Sequence, residues 1–282
     1  LPSAMPDPGS AHPDPVTAAI GSMVGSVIPG CADSPSSTTL TLAIDGDTAV
    51  IAAANGKLSV NGNPCNSLIN GVSAALTTST TAKIVVSGGA NTDKLILDLL
   101  PGSFGTKIFS SIGGITVDFA STAGGSDEVM VRGSGVAETI KFASSAAMTE
   151  TYIELNGDRT ADVKITPASG VVLTASMGGG TDVVLGNSTA LSGFAGTNNI
   201  SVIPLASPLI AYGGAGADTF VGGASDDFFY GGGDDDTFKS AATDDGSDTF
   251  QGDSGSDTVD YSNRGGGVIA DIGPATPTIT GS

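Results

Sequence analysis

The chain has 282 residues and a formal net charge of −19, from 29 Asp and Glu against 10 Lys and Arg. It has no Trp, and its 42 Gly favour a narrow core of small and β-branched side chains over a thick globular one. This acidic surface repels phosphate backbones and anionic lipid, which excludes nucleic acid as a partner. No apolar run reaches the roughly 18 residues of a membrane span.

The first 36 residues differ in composition from the rest. Residues 1–15 hold five prolines and are predicted to form an extended arm. Apolar side chains then recur at helical spacing, which predicts one short amphipathic helix over residues 16–28 that ends at Pro29-Gly30 and caps the end of a β-stack. The residues of that apolar face are Ile20, Met23, Val24, Val27 and Ile28.

Cys31 and Cys65 are the two cysteines of the chain. An even count in an acidic, Lys-poor sequence predicts a disulfide and an oxidising, extracellular setting. Two buried free thiols are the alternative. A bond closing a loop of this size would contribute roughly 3–4 kcal/mol.

From residue 37 onward, short segments rich in β-branched residues are separated by Gly, Asn, Asp and Ser. This rhythm predicts an all-β chain, and a right-handed parallel β-solenoid (β-helix) if the segments repeat. Residues 37–212 are assigned to a degenerate part of this solenoid. The predicted strands cover residues 39–44, 49–53, 57–60, 83–87, 94–99, 114–119, 128–132, 139–142, 151–155, 162–165, 171–175 and 182–185.

A nine-residue repeat begins at Gly213. Its units are GGAGADTFV (213–221), GGASDDFFY (222–230), GGGDDDTFK (231–239), TDDGSDTFQ (243–251) and GDSGSDTVD (252–260), with Ser240, Ala241 and Ala242 inserted before the fourth. The sixth position is always Asp, at Asp218, Asp227, Asp236, Asp248 and Asp257. The eighth is always large and apolar, at Phe220, Phe229, Phe238, Phe250 and Val259. An acidic low-complexity linker would not keep both positions in phase.

This spacing suits calcium, which takes six to eight carboxylate and carbonyl oxygens. Glycine-rich turns can direct carbonyls inward, and the sixth-position Asp adds an anionic oxygen. Because two units complete one coil, alternate units should stack. We therefore expect Asp218, Asp236 and Asp257 to be neighbours on one side, and Asp227 and Asp248 on the other.

The repeat resembles the RTX (repeats-in-toxin) nonapeptide G-G-x-G-x-D-x-U-x, which forms a calcium-binding β-roll. The resemblance implies a β-roll over residues 213–273, followed by a tail at 274–282, with three or four Ca²⁺ ions held by the five aspartates and by turn residues. Those turn residues are Gly214, Gly216, Gly223, Ser225, Gly232, Asp234, Gly246 and Gly255. Ser225 and Asp234 depart from the usual fourth-position glycine.

Weaker copies occur upstream at residues 88–96, 122–130, 133–141 and 177–185. They indicate that the array is the regular end of a longer solenoid. Asp93, Asp127 and Asp182 stand at the sixth position of three copies and are secondary metal candidates, and Glu138 replaces Asp in the fourth. Alternatively, these acids cap turns by accepting backbone N–H groups.

The sequence offers little for catalysis. The single His12 lies in the proline-rich arm, which excludes a His-based triad or zinc site. We therefore expect a secreted bacterial or cell-surface structural protein without enzymatic activity, such as an adhesin, surface-layer, matrix or filament component. Its partners would be calcium, further copies stacked end to end, and cell-surface polysaccharide. The alternatives are a polysaccharide lyase or epimerase, and a non-catalytic secretion module of a larger protein.

Overall fold

The computed structural model describes residues 31, 34–109, 113–119, 126–189, 191, 193–194, 197–198, 200–241, 245–264 and 278–280. The predicted arm and helix within residues 1–28 lie outside this part. In chain order the elements are β1 (Thr39–Ala43), β2 (Thr48–Ala54), β3 (Lys57–Val60), β4 (Asn63–Pro64), β5 (Asn66–Ile69), β6 (Val72–Ala75), β7 (Lys83–Ser87), β8 (Lys94–Asp98), α1 (Gly105–Ile108), β9 (Gly114–Asp118), β10 (Asp127–Arg132), β11 (Thr139–Ser145), β12 (Thr151–Glu154), β13 (Val163–Thr166), β14 (Val171–Gly179), β15 (Val183–Leu185), β16 (Gly193–Phe194), β17 (Thr197–Asn198), β18 (Val202–Ile203), β19 (Leu209–Ala215), β20 (Thr219–Val221), β21 (Phe228–Gly233), β22 (Thr237–Lys239), β23 (Thr249–Ser254), β24 (Thr258–Asp260) and β25 (Thr278–Thr280).

Two long sheets run the length of the described chain. The first has the order β1-β7-β9-β13-β12-β11-β15-β20-β22-β24-β25, and β18 pairs with β11. The second has the order β4-β3-β2-β8-β10-β14-β19-β21-β23. The chain alternates between the sheets, and inward side chains of both, such as Ile84 and Leu95, share one buried core cluster. The prediction of an all-β solenoid is confirmed, while its handedness stays a prediction.

Both sheets continue across residue 212. Strand β15 pairs in parallel with β20, and β14 pairs in parallel with β19, which itself spans that position. The regular array is therefore built directly on the upstream coils. The proposed domain boundaries stay a prediction.

Antiparallel hairpins interrupt the parallel coils, and the sequence reasoning missed them. The turns between β2 and β3, β3 and β4, and β5 and β6 are each an Asn-Gly pair with positive φ at both residues. Two left-handed residues in a two-residue loop make a type I′ turn, whose twist matches a hairpin. Strands β11, β12 and β13 form a further antiparallel meander inside the first sheet. The Asn-Gly dipeptides were the available signal for the first three.

Cys31 and Cys65 are joined by a disulfide, with their Cα atoms 4.5 Å apart. Both are buried and belong to the main core cluster together with Leu58 and Leu76. Cys31 also receives the backbone N–H of Asn66 at its carbonyl oxygen. The bond therefore ties the segment before β1 to the hairpins at one end of the solenoid.

The eighth-position side chains of the array stack inside the core. Phe220 lies 5.2 Å from Phe238 and 5.4 Å from Phe229 between ring centroids, and Phe250 lies 5.0 Å from Phe238. Phe220, Phe229 and Phe238 are fully buried, as their spacing predicted. Phe250 and Val259 are only partly buried against the same core.

Asp162, just before β13, gives the fold an expected pH dependence. Burial, together with the nearby Asp158 and Glu154, raises the pKa of its carboxyl group to about 7, against the hydrogen bond from Leu155 N, which lowers it. The folded state therefore keeps a proton that the unfolded state loses above pH 4, so this group lowers the free energy of unfolding as the pH rises from about 4 to about 7. We expect Asp162→Asn, which keeps an oxygen for Leu155 N, to stabilise the protein at pH 8 by up to about 4 kcal/mol and to have no effect at pH 4. Denaturant unfolding at both values checks this, and the exposed Asp47→Asn serves as a control that should change stability at neither pH.

Candidate metal centre

The turns that connect the two sheets lie in two columns. The first turn column carries the chain from the second sheet to the first and consists of residues 133–138, 177–182, 213–218, 231–236 and 252–257. Its turns are in register, since Gly178 is paired with Gly214, Gly214 with Gly232, and Gly232 with Asp253. The second turn column returns the chain to the second sheet and includes residues 88–93, 222–227, 240–241 and 245–248.

A ladder of carboxylates lines the first turn column. Each Oδ1 accepts the backbone N–H of the acidic residue one turn before it. The donor–acceptor distances are 2.7 Å for Glu138 N to Asp182, 2.7 Å for Asp182 N to Asp218, 2.8 Å for Asp218 N to Asp236, and 3.0 Å for Asp236 N to Asp257. The structure thus brings together Asp218, Asp236 and Asp257 in the order expected from the repeat.

The second oxygen of three ladder carboxylates is buried and has no hydrogen-bond partner among the described residues. These atoms are Oδ2 of Asp182, Asp218 and Asp236. Burial raises the pKa of Asp218 to about 7 and that of Asp182 and Asp236 to about 6. Neighbouring acids contribute in the same direction, for example Asp182 and Asp236 at Asp218. A buried acceptor without a donor costs about 1–3 kcal/mol, so a bound cation would relieve both the missing partner and the repulsion.

Glycine is required in these turns because carbonyl groups fill the space a side chain would need. A Cβ on Gly216 would lie 2.7 Å from the carbonyl carbon of Gly180 and would overlap its oxygen. A Cβ on Gly255 would overlap the carbonyl group of Asp234 in the same way. Gly180, Gly216 and Gly255 also have φ of +127°, +114° and +147°, a region that other residues rarely adopt. Stacked turns thus place carbonyl oxygens beside the carboxylate ladder, which is the oxygen-only donor set that calcium prefers.

The sequence pattern of the RTX calcium-binding nonapeptide repeat, in four copies, matches residues 212–245 and 242–260. This part of the chain carries RTX calcium-binding repeats. No curated protein and no solved structure gives a significant match to the chain.

The non-glycine departures in the RTX array are compatible with this turn geometry. Asp234 and Asp253 adopt left-handed backbone conformations with φ of +73° and +67°, which Asp tolerates better than most residues. The additional acids Asp226 and Asp235 each accept a backbone N–H from the turn that follows, from Ser247 and Ser256 at 2.8 Å. They therefore help to hold successive turns in register.

The second turn column differs from the first within the same RTX array. Asp227 N donates to Asp248 Oδ1 at 3.0 Å, so these two residues are neighbours as expected. Asp227, however, uses both of its oxygens, since Oδ1 accepts Leu209 N and Oδ2 accepts Gly223 N. Gly223 and Ser225 have no positive φ, whereas Gly246 has one of +85°. Burial raises the pKa of Asp227 to about 6 and of Asp248 to about 7.

The upstream candidates fall in both columns. Asp182 belongs to the first column and to the carboxylate ladder. Asp93 and Asp127 lie in the second, where Asp93 N donates to Asp127 Oδ1 at 2.9 Å. Both oxygens of Asp93 accept backbone N–H groups, from Gly46 at 2.7 Å and Gly89 at 2.8 Å. This is the turn-capping arrangement that the sequence left as an alternative.

The three-residue insertion is held by a polar cluster that the repeat pattern did not predict. Asp245 is buried, forms an ion pair with Arg264, and accepts hydrogen bonds from Ser240 Oγ and Ala241 N at 2.8 Å. Arg264 Nε also donates to Ser240 Oγ at 2.7 Å. This cluster links the insertion to the segment after the last repeat.

In the described part of the chain, no three His, Cys, Asp or Glu side chains converge as a metal cluster, so calcium would depend on turn carbonyls for most of its ligands.

Proposed function

We propose that this chain is a secreted, non-catalytic structural protein whose RTX array folds and stacks in response to calcium. The observation that carries the proposal is the carboxylate ladder of the first turn column, in which buried oxygens of Asp182, Asp218 and Asp236 have no donor among the described residues. A ladder built only to cap turns would use both oxygens, as Asp93 does.

The charge of the array explains why folding should depend on the ion. From residue 213 to 273 there are thirteen Asp against one Lys and one Arg, so the folded turns concentrate negative charge at short range. A bound Ca²⁺ ion supplies two positive charges and is coordinated by oxygens from adjacent turns. A ligand that binds only the folded state stabilises it by about 2.7 kcal/mol at a hundredfold excess over its dissociation constant.

The proposed location outside the cell follows from the same dependence. Calcium is plentiful outside cells and scarce in the cytosol, so the array would stay unfolded before export and fold afterwards. RTX repeat proteins are typically secreted bacterial proteins, and the disulfide between Cys31 and Cys65 suits an oxidising compartment. No helix in the described ranges is long and apolar enough to cross a membrane.

Further copies of the chain are the proposed structural partner. In the described part of the chain the second sheet ends at β23, where Phe250 remains only partly buried, and Val259 is partly buried nearby. An edge strand with unpaired backbone groups beside partly buried core side chains favours the addition of further strands. An adhesin, matrix or filament role rests on this end-to-end contact, and polysaccharide would be a further ligand of such a surface protein.

Calcium titration tests the proposal. Protein freed of metal by chelation should gain β signal in far-ultraviolet circular dichroism as Ca²⁺ is added, while Mg²⁺ at equal ionic strength should have a much smaller effect. Mg²⁺ controls for charge screening, because it demands a tighter octahedral site and gives up water reluctantly. Equal responses to the two ions, or no response to either, would contradict a calcium-specific folding role.

A further inference from the structure

We infer that the calcium sites along the first turn column begin one turn before the matched repeats, with Asp182. The inference rests on the proposed calcium-dependent function and specifies where the ions bind. It assigns a site between turns 177–182 and 213–218, the first of which precedes the matched residues 212–260. It also removes Asp227 from the expected calcium ligands.

The turn at residues 177–182 has the geometry of the matched turns beside it. Gly178 and Gly180 have φ of +94° and +127°, close to +106° and +114° at Gly214 and Gly216. Gly178 is paired with Gly214 in the parallel register of β14 and β19. The sequence MGGGTD at 177–182 therefore folds as the matched GGAGAD does, although its wider separation from the array obscures the repeat.

Asp182 itself has the features of Asp218 and Asp236. Its side chain is fully buried, its Oδ1 accepts Glu138 N at 2.7 Å, and its Oδ2 has no donor within the described residues. This unpartnered oxygen lies in the turn column whose next member, Asp218, has an unpartnered Oδ2 as well. The ladder thus continues upstream of the array without a change in geometry.

The column of sites ends at Asp182, because the next turn upstream is closed by its own hydrogen bonds. Glu138 Oε2 accepts Ser134 N from its own turn at 2.7 Å, whereas Oδ2 of Asp182 receives no such hydrogen bond among the described residues. Neither Ser134 nor Val136, which replace the glycines of the second and fourth positions, has a positive φ. The inward-facing carbonyl arrangement therefore starts with the glycine turn at 178–180.

The turn of Asp227 in the second turn column lacks the same opening. Both carboxylate oxygens of Asp227 accept hydrogen bonds, Oδ1 from Leu209 N at 2.8 Å and Oδ2 from Gly223 N at 2.6 Å. Its turn stacks on the segment around Leu205 and Ala206, where Ala224 N donates to Leu205 O and Ser225 Oγ donates to Ala206 O. That segment offers peptide groups and no carboxylate, so this turn is held by hydrogen bonds without an ion.

Bound calcium per chain, measured by equilibrium dialysis and elemental analysis, separates the two columns. The four stacked turns at 177–182, 213–218, 231–236 and 252–257 leave three spaces between them, so the unaltered protein should bind about three ions. Asp182→Asn keeps an oxygen for Glu138 N and should bind about one ion fewer. Asp227→Asn and the matched control Asp93→Asn should bind the full number. Circular dichroism at saturating calcium verifies that each variant is folded.

A second measurement keeps the inference testable if a variant folds poorly. The thermal midpoint of Asp182→Asn should fall in calcium and should not fall in chelator, whereas loss of a purely structural cap would lower it in both. Retention of all ions by Asp182→Asn, or loss of an ion from Asp227→Asn, would overturn the inference and leave calcium binding itself intact. Failure of the unaltered protein to bind calcium would overturn the proposed function as well.

Discussion

Replacing Gly216 with alanine is expected to destabilise the calcium-bound array by at least about 3 kcal/mol. The new Cβ would overlap the carbonyl group of Gly180, and the backbone φ of +114° is unfavourable for any L residue. The Cβ position is fixed by the backbone of residue 216, and the carbonyl group belongs to the backbone of Gly180. A side-chain rearrangement therefore cannot relieve the overlap. Denaturant unfolding at saturating calcium measures the loss.

Gly157→Ala is the matched control for this substitution. Gly157 also has a positive φ, of +80°, but a Cβ there would have no atom within 4 Å. Its cost should be limited to the backbone conformation, about 1 kcal/mol. If the two variants lose the same free energy, close contact between turns is not the reason for glycine at residue 216.

Truncation of Phe238 to alanine is expected to cost about 3–5 kcal/mol in the same assay. The ring is fully buried and lies between those of Phe220 and Phe250, at centroid distances of 5.2 and 5.0 Å. Its loss would leave a cavity in the core, where the neighbouring coils are fixed by backbone pairing and cannot collapse into it.

Phe238→Leu tests whether the buried volume of the side chain matters. It retains most of the buried apolar volume and should cost less than about 1.5 kcal/mol. Val136→Ala, at a side chain that is 66% exposed, should be nearly neutral. A Phe238→Ala variant as stable as Phe238→Leu would show that the volume buried by Phe238 does not support the array.

The regular part of the structure could be predicted because its spacing is strict. Five aspartates and five apolar residues in one phase determine both which side chains enter the core and which turns become neighbours. The stacking of Asp218, Asp236 and Asp257 follows from two units per coil. Most of the predicted upstream strands agree with the structure to within a residue or two, since alternating apolar residues between Gly and Asn turns indicate them directly. Strands β11 and β14 extend three and four residues beyond their predicted ends.

The chemical difference between similar aspartates could not be predicted. Asp93 and Asp182 both stand at the sixth position of a degenerate glycine-rich copy, and both are fully buried. They differ because Gly46 and Gly89 donate to both oxygens of Asp93, whereas Asp182 receives one donor. The donors come from coils 44 to 47 residues away or from a local turn conformation, which a motif does not specify.

The coil interruptions had a local signal that was passed over. Asn55-Gly56, Asn61-Gly62 and Asn70-Gly71 each turn the chain back on itself, which a search for solenoid coils does not anticipate. The meander of β11, β12 and β13 has no comparable dipeptide between its first two strands, and its antiparallel register depends on packing within the first sheet.

Hydrogen exchange of the intact chain, measured by mass spectrometry with and without calcium, tests the central claim most directly. Calcium should slow exchange by orders of magnitude in peptides from residues 213–260 and in those covering 177–182. Peptides from β7 and β8, which are joined by the turn that Asp93 closes with hydrogen bonds to both of its oxygens, should exchange at the same rate in both conditions. Equal protection of the array in calcium and in chelator would contradict the account, because the array would then fold without the ion.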